Sequence, residues 1–252
     1  MNRIKSIFFI MIICALFFAL TGCEKNQEID NTIIANNSKI DETIIEKNEV
    51  AETNNTTNKK ELSNDEIYGE LITNYEKALK EYELDDIEAD EKINDKYGIK
   101  DTILLMHIAR YAENGVKLTK EFYDIDKNGI DELILGADNA IGVIYSFDTN
   151  TNKPVFIFAL DTLERGFASI YDNGVIYSGG AGGAALHIYE FGKISENGTS
   201  YELLEKVEEE YKEDSEIPEY RDPATEEKLE YKSFDEVTDK YISNAKEVKI
   251  FE

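Results

Sequence analysis

At Gly115 the hydrophobic period of this chain changes, and no other feature limits its possible folds as strongly. Downstream lie eight short runs rich in Val, Ile, Tyr and Phe: VKLTKEFY, DELILG, GVIYSF, PVFIFAL, FASIY, GVIYS, ALHIYEF and YELLEKV. Turn signals separate them, at Asn128-Gly129, Asp148 to Pro154, Asp172-Asn173-Gly174, Gly179 to Gly183 and Asn197-Gly198. Asn-Gly supplies the positive φ that tight hairpins require. The pattern predicts an antiparallel β-meander of about eight strands. Val155 to Leu160 is apolar on both faces, which predicts a central strand covered by a helix or a second sheet.

Upstream of Gly115 the period is helical. Ser63 with Glu66 three residues later reads as a capping box, and Ile67, Leu71, Tyr75, Leu79 and Tyr82 follow at helical spacing. This first helix is predicted to run into the acidic stretch near Asp85, with a break before Tyr97-Gly98. A second is predicted over Thr102 to Glu113, ended by Asn114-Gly115. At the far end, Ser233 and Glu236 suggest another capping box, opening a C-terminal helix through Val237, Tyr241 and Ile242. Residues 62–252 are thus expected to form a single α+β domain: N-terminal helices, the meander and a C-terminal helix. About 190 residues can enclose a substantial core.

The chain carries 53 acidic against 27 basic residues, a formal net charge of −26. Such a chain repels phosphate backbones, so no nucleic-acid partner is expected. It also repels anionic headgroups, so a basic patch cannot hold it at a membrane. Most of these charges read as a solvated, solubility-promoting surface.

The start of the chain supplies another means of attachment. Arg3 and Lys5 precede an uncharged apolar run from Ile7 to Leu20, and Leu20-Thr21-Gly22-Cys23 follows. A run of 14 residues is short for a membrane span and suits a signal core. The four residues at its end resemble the lipobox of bacterial lipoproteins. That resemblance implies a signal peptide over residues 1–22, removed before Cys23, and diacylglyceryl on the Cys23 thiol. Two acyl chains suffice for stable attachment. The implied location is the outer face of the plasma membrane, at the cell surface. Cys14 lies within the leader and lipid would occupy Cys23, so no thiol remains for a disulfide, a zinc site or a nucleophile. Residues 23–61 are dominated by Asn, Thr, Glu and Lys and read as a flexible tether. As a random coil its mean reach is roughly 35 Å.

One constellation carries chemistry. Asp124-Ile-Asp126-Lys-Asn128-Gly129-Ile130-Asp131-Glu132 places oxygen donors at alternate positions, with glycine at the sixth. Calcium takes six to eight hard oxygen ligands, and a loop curling around an ion turns alternate side chains inward. The expected ligands are Asp124, Asp126, Asn128, the Ile130 carbonyl and Glu132, with Asp131 pointing away. Turn chemistry alone explains Lys127-Asn128-Gly129, but not three acids converging with it. The loop resembles the DxDxDGxxE calcium loops of EF-hands, dockerins and FG-GAP repeats. It departs from the EF-hand in carrying Leu135 at position 12 and strand-like flanks, Phe122-Tyr123 and Leu133 to Leu135, so the β-flanked FG-GAP version is the closer match. FYDIDKNGIDELILG, with the later DNGVIYSGGAGGAALHIYEF, is also similar to a group of uncharacterised Gram-positive lipoproteins that combine such a loop with a lipobox. That resemblance spans Tyr123 to Phe191 and implies no particular activity.

Other signals read as structure. Asp148-Thr-Asn150-Thr-Asn152 lacks the glycine and the ninth-position acid and is expected to be a turn. Ser178 to Ala184 lacks the Gly-Lys-Ser/Thr ending of a phosphate loop and is expected to be a mobile hairpin loop. His107 is expected to pack on a helix, and His187 to share a strand face with Tyr189 and Phe191. The expectation is a surface-anchored, calcium-stabilised, non-catalytic binding or interaction module with a cell-surface or cell-wall partner. The alternative is an extracytoplasmic hydrolase acting on cell-wall material, with the glycine-rich segment beside its cleft. If lipid on Cys23 is the anchor, Cys23→Ser should move the chain from the membrane to the soluble fraction on fractionation. Unchanged partitioning would overturn that expectation.

Overall fold

A computed structural model describes residues 62–212, 215 and 217–251. The expected leader, tether and Cys23 lie outside the described residues.

The first helix, α1 (Asn64–Glu81), starts at Ser63 as its sequence predicts. The Ser63 hydroxyl accepts from the Glu66 amide at 3.3 Å, and Glu66 Oε2 accepts from the Ser63 amide at 2.9 Å. It ends at Glu81 rather than near Asp85, and a separate helix, α2 (Ala89–Tyr97), follows. Gly98 stops α2 at φ +69°, where its amide donates to the Asn94 carbonyl. The third helix, α3 (Ile103–Tyr111), runs into a short 3-10 turn that Gly115 closes at φ +89°.

The eight runs form β1 (Leu118–Tyr123), β2 (Glu132–Ala137), β3 (Ala140–Asp148), β4 (Lys153–Ala159), β5 (Gly166–Tyr171), β6 (Ile176–Ala181), β7 (Leu186–Ile194) and β8 (Tyr201–Glu210). Two short strands add to them, β9 (Glu219–Arg221) and β10 (Glu247–Val248), with α4 (Phe234–Ile242) between. All pairings between strands are antiparallel, but the meander divides after β4. A four-stranded sheet runs β1-β2-β3-β4, and a six-stranded one runs β10-β5-β6-β7-β8-β9.

Alternation of side chains explains the layering. In β2, Leu133 and Leu135 face a core of Ile67, Tyr75, Leu104 and Ile108 from the helices. Ile134 faces the other way and packs with Ile144, Phe158, Ile170, Ile176 and Ile194 between the sheets. On the far side of the larger sheet, Tyr177, Phe191, Val207 and Tyr220 pack against Val237 of α4. The order is helices, small sheet, large sheet, helix. Tyr75 and Tyr145 join their hydroxyls at 3.0 Å within the first core, so the polar ends of two buried rings satisfy each other.

Besides the earlier end of α1, four expectations are corrected. β4 is an edge strand, not a central one, because the chain leaves the small sheet after it. Its two faces are nonetheless covered, by the helical core at Phe156 and by the inter-sheet core at Phe158. Ser233 makes no capping bond through its side chain. Glu236 instead accepts from the Lys232 amide at 2.9 Å. Gly179 and Gly180 are not loop residues but lie within β6, paired with β5 and β7. The space a Cβ at Gly179 would need is taken by the rings of Tyr189 and Phe167. The division into two sheets is the fourth.

Gly136 tests the tightest junction, since an added Cβ would collide with the Ala140 carbonyl and the Phe251 ring. Gly136→Ala should lower unfolding free energy by about 1–3 kcal/mol, the usual cost of overpacking. Urea denaturation checks this, and an unchanged midpoint would contradict the packing.

Candidate metal centre

The loop between β1 and β2 begins with a burial that its charge conceals. Ile125, flanked by two aspartates, is fully buried and joins the inter-sheet core. That anchoring leaves Asp124 and Asp126 on the opposite side of the local backbone. Lys127 and Gly129 then take positive φ, +64° and +88°, and the chain turns back on itself into β2. The turn brings Glu132, the first residue of β2, to the two aspartates. One carboxylate oxygen from each of Asp124, Asp126 and Glu132 lies within 4.8 Å of the others.

The hydrogen bonds these groups receive come from amides and a hydroxyl. Asp124 Oδ2 accepts from the Gly129 amide at 3.1 Å. Asp126 accepts from the Asn128 amide at 3.0 Å and from Asn128 Nδ2 at 2.9 Å. Glu132, completely buried, accepts from the Ile125 amide at 2.7 Å and from Ser146 Oγ on β3 at 3.0 Å. Asp124 Oδ1 is shielded from solvent and accepts no hydrogen bond. A buried carboxylate oxygen without a donor is costly, and a cation among the three acids would remove that cost.

Electrostatics point the same way. Burial pushes the Glu132 carboxyl up to about 7, and the charges of Asp126 and Asp124 add to the shift. Burial also raises the Asp126 carboxyl, with Asp124 contributing. Lys127 answers this cluster only at a distance, through the charge of Asp124. Its ammonium donates to the Tyr123 hydroxyl and the Asp124 carbonyl, both at 2.9 Å.

The five expected ligands are therefore not equivalent here. Asp124, Asp126 and Glu132 converge. Asn128 sits beside Asp126 but directs its amide nitrogen there, while its Oδ1 accepts from the Ile130 amide at 2.7 Å. A half-turn of the amide exchanges its oxygen and nitrogen. Ile130 lies in the same turn and is held there through its amide. Asp131 is directed elsewhere, as expected. Its carboxylate accepts from Asn64 Nδ2 at 2.9 Å and its carbonyl from the Tyr68 hydroxyl at 2.8 Å, both on α1.

Local spacing could not reveal three participants. Ser146 comes from β3, and two hairpin turns come from the large sheet. Gly198, in the β7–β8 turn, lies so that an added Cβ would stand 3.7 Å from Asp126 Oδ2 and 3.6 Å from Asn128 Nδ2. Gly174, in the β5–β6 turn, faces the Ile125 carbonyl in the same manner. The acidic loop thus lies where one sheet meets the turns of the other.

Elsewhere the polar side chains named in the sequence have structural partners. Asp148 caps its own turn through the Asn150 amide and the Thr151 hydroxyl. His107 packs on the Tyr111 ring. His187 contacts Tyr189 on the outer face of the large sheet and lies 3.4 Å from buried Glu209.

A cleft of about 470 Å³ lies apart from the triad, between β4 and the inner face of the large sheet, with Gly179 to Gly182 along it. Neither histidine lines it.

No family model, curated protein or solved structure matches this chain.

Glu132 gives a test of the site's electrostatics in the metal-free protein. Its folded carboxyl titrates near 7 against an ordinary value of 4.5, so the folded state retains a proton that the unfolded chain releases. Its contribution to stability is therefore greatest below pH 4.5 and is lost as the pH rises toward 7. The interval corresponds to on the order of 3 kcal/mol. In chelator, Glu132→Gln should abolish that decline and be the more stable protein at pH 8. A wild type whose chelated melting temperature shows the same pH profile as the variant would contradict the assignment.

Proposed function

We propose that this chain is a calcium-stabilised binding module held outside the plasma membrane by lipid on Cys23, in which the ion is structural. The convergence of Asp124, Asp126 and Glu132, with an Asp124 oxygen buried and lacking a donor, carries this reading. Asp124, Asp126, Asn128, Ile130 and Glu132 would hold the ion. A set of carboxylate, amide and carbonyl oxygens suits a hard cation, and a flexible loop with neutral as well as charged donors suits calcium better than the smaller, stricter magnesium.

The position of the site argues for a structural role. The triad lies at the junction of the two sheets and does not line the cleft, so an ion there would not touch a molecule held in the cleft. It would instead neutralise three acids and fix a loop whose Ile125 belongs to the inter-sheet core. The cleft has no imidazole, and His187 stands on the opposite face of the sheet, so the hydrolase alternative would rest on Asp101, Asp161 and Glu190 with Lys206 and the Tyr201 hydroxyl. Glu190 is already paired with Lys206 at 3.1 Å, which favours binding over acid–base work.

Among the described residues no helix is long and apolar enough to cross a membrane. Attachment in this reading rests on Arg3, Lys5, the apolar run and Cys23, with residues 23–61 spacing the domain from the lipid.

Thermal melts with calcium and with chelator test the ion. At a hundred times the dissociation constant, calcium should add about 2.7 kcal/mol, or about 5–10 °C for a domain of this size. The Asp124→Ala, Asp126→Ala double variant should gain nothing. A wild type indifferent to calcium would remove the metal from the proposal.

A further inference from the structure

The two sheets differ in width, four strands against six, so the sandwich ends unevenly. β4 closes the smaller sheet, and its ladder partners all belong to β3. Along its other edge runs the cleft, walled by Phe156 to Thr162 and floored by Gly180, Ile188, Glu190 and Lys206 of the larger sheet. An unpaired strand edge presents a row of amide donors and carbonyl acceptors that another strand satisfies best. Proteins usually guard such edges with charge or proline along the strand. Here Lys153 and Pro154 occupy the first two positions, and Val155 to Ala159 carry no charge. The bulge in the β3–β4 pairing leaves the Ile157 side chain buried in the inter-sheet core.

The floor is polar, and the cleft above it leaves room for an added strand. Gly180 adds no side chain to it, and a Cβ there would crowd the Arg165 carbonyl and the Gly166 Cα at 3.2 and 3.3 Å. Beside it Glu190 and Lys206 pair across β7 and β8 at 3.1 Å. A fifth strand on the small sheet would lie above these residues and cover part of the large sheet that β4 leaves open.

Charge selects the occupant. Three carboxylates, Asp101, Asp161 and Glu190, line the cleft with one ammonium, Lys206. Lys206 answers Glu190, so the two aspartates remain as surplus negative charge. They stand close enough that Asp161, after burial, raises the Asp101 carboxyl. A second copy of this chain, with net charge −26, would bring like charge to that wall.

We propose that the cleft receives an extended, basic polypeptide segment of a partner protein, which pairs with the free edge of β4 as a fifth strand and sets a lysine or arginine against Asp101 and Asp161. This rests on the binding-module reading and names the class of partner. It does not depend on the metal.

The test uses the full chain with an acetylated, amidated heptapeptide of alternating valine and lysine. Binding is followed by fluorescence anisotropy and by hydrogen exchange. Exchange of the amides of Lys153 and Val155 to Ala159 should slow when the peptide is added. A peptide with glutamate for lysine should bind at least about tenfold more weakly, as should one N-methylated at alternate residues to remove its pairing edge. Asp101→Asn with Asp161→Asn should weaken the lysine peptide about tenfold while melting no lower than the wild type, because asparagine still accepts from the Ile103 amide and the repulsion between two acids is removed. Absence of protection in β4, equal binding of the N-methylated or glutamate peptide, or concentration-dependent dimerisation that protects β4 would each overturn the proposal. A calcium-dependent melt in the same samples separates the two readings. Stabilisation by calcium without peptide binding defeats only the strand-pairing inference, and peptide binding without a calcium effect defeats only the metal.

Discussion

Ile125 lies in the inter-sheet core while its two neighbours in sequence are aspartates. Because the apolar side chain is buried, the flanking carboxylates have little freedom to separate, and Glu132 reaches them from the start of the most buried strand. The core therefore enforces a concentration of charge that the loop would avoid on its own. Any account of this domain has to explain how that charge is tolerated. Amide donors and Ser146 meet part of the need, yet burial first, and then Asp126 and Asp124, still raise the Glu132 carboxyl. The same junction brings in the turns at Gly174 and Gly198 from the other sheet. A cation at this point would act on the contact between the sheets as well as on one loop.

Charge elsewhere is arranged differently. Glu205 gathers the Tyr231 and Tyr241 hydroxyls and the Lys240 ammonium, and so ties α4 to the outer face of the large sheet. Glu209 accepts from Tyr189 and Tyr220 within that same layer. These acids have donors fixed around them and read as structural. The triad differs in being short of donors, and the cleft wall differs in having surplus acids facing open space. Two separate deficits of positive charge thus mark two separate places, one at the sheet junction and one along the free strand edge.

Much of this was legible in the residues. Eight strands, the helix starting at Ser63, the stop at Gly115 and the convergence of three acids follow from local spacing, because each depends on neighbours in sequence. What escaped depends on neighbours in space. The helix Ala89–Tyr97 buries little beyond Ala89 and Ile93 and has no side-chain cap at its start, so no local pattern announces it. The glycines of β6 resemble a loop until Phe167 and Tyr189 are seen to fill the missing side-chain volume. The apolar run of β4 correctly indicated two covered faces. It could not say that the chain would then change sheets and leave one edge unpaired. Ser146 and the two hairpin glycines entered the metal centre from strands distant in sequence, and nothing in the DxDxNG spacing pointed to them.

The first turn of α1 is fastened to the acidic loop, through Asn64 to the Asp131 carboxylate and through Tyr68 to the Asp131 carbonyl. The residues before Leu62 join the described domain at this end. Tension applied through them would bear on α1, and these two bonds would carry part of it into the acidic loop. α1 also rests on β4. A pull on the amino-terminal side of the domain would thus be felt both at the carboxylate cluster and at the strand with the free edge.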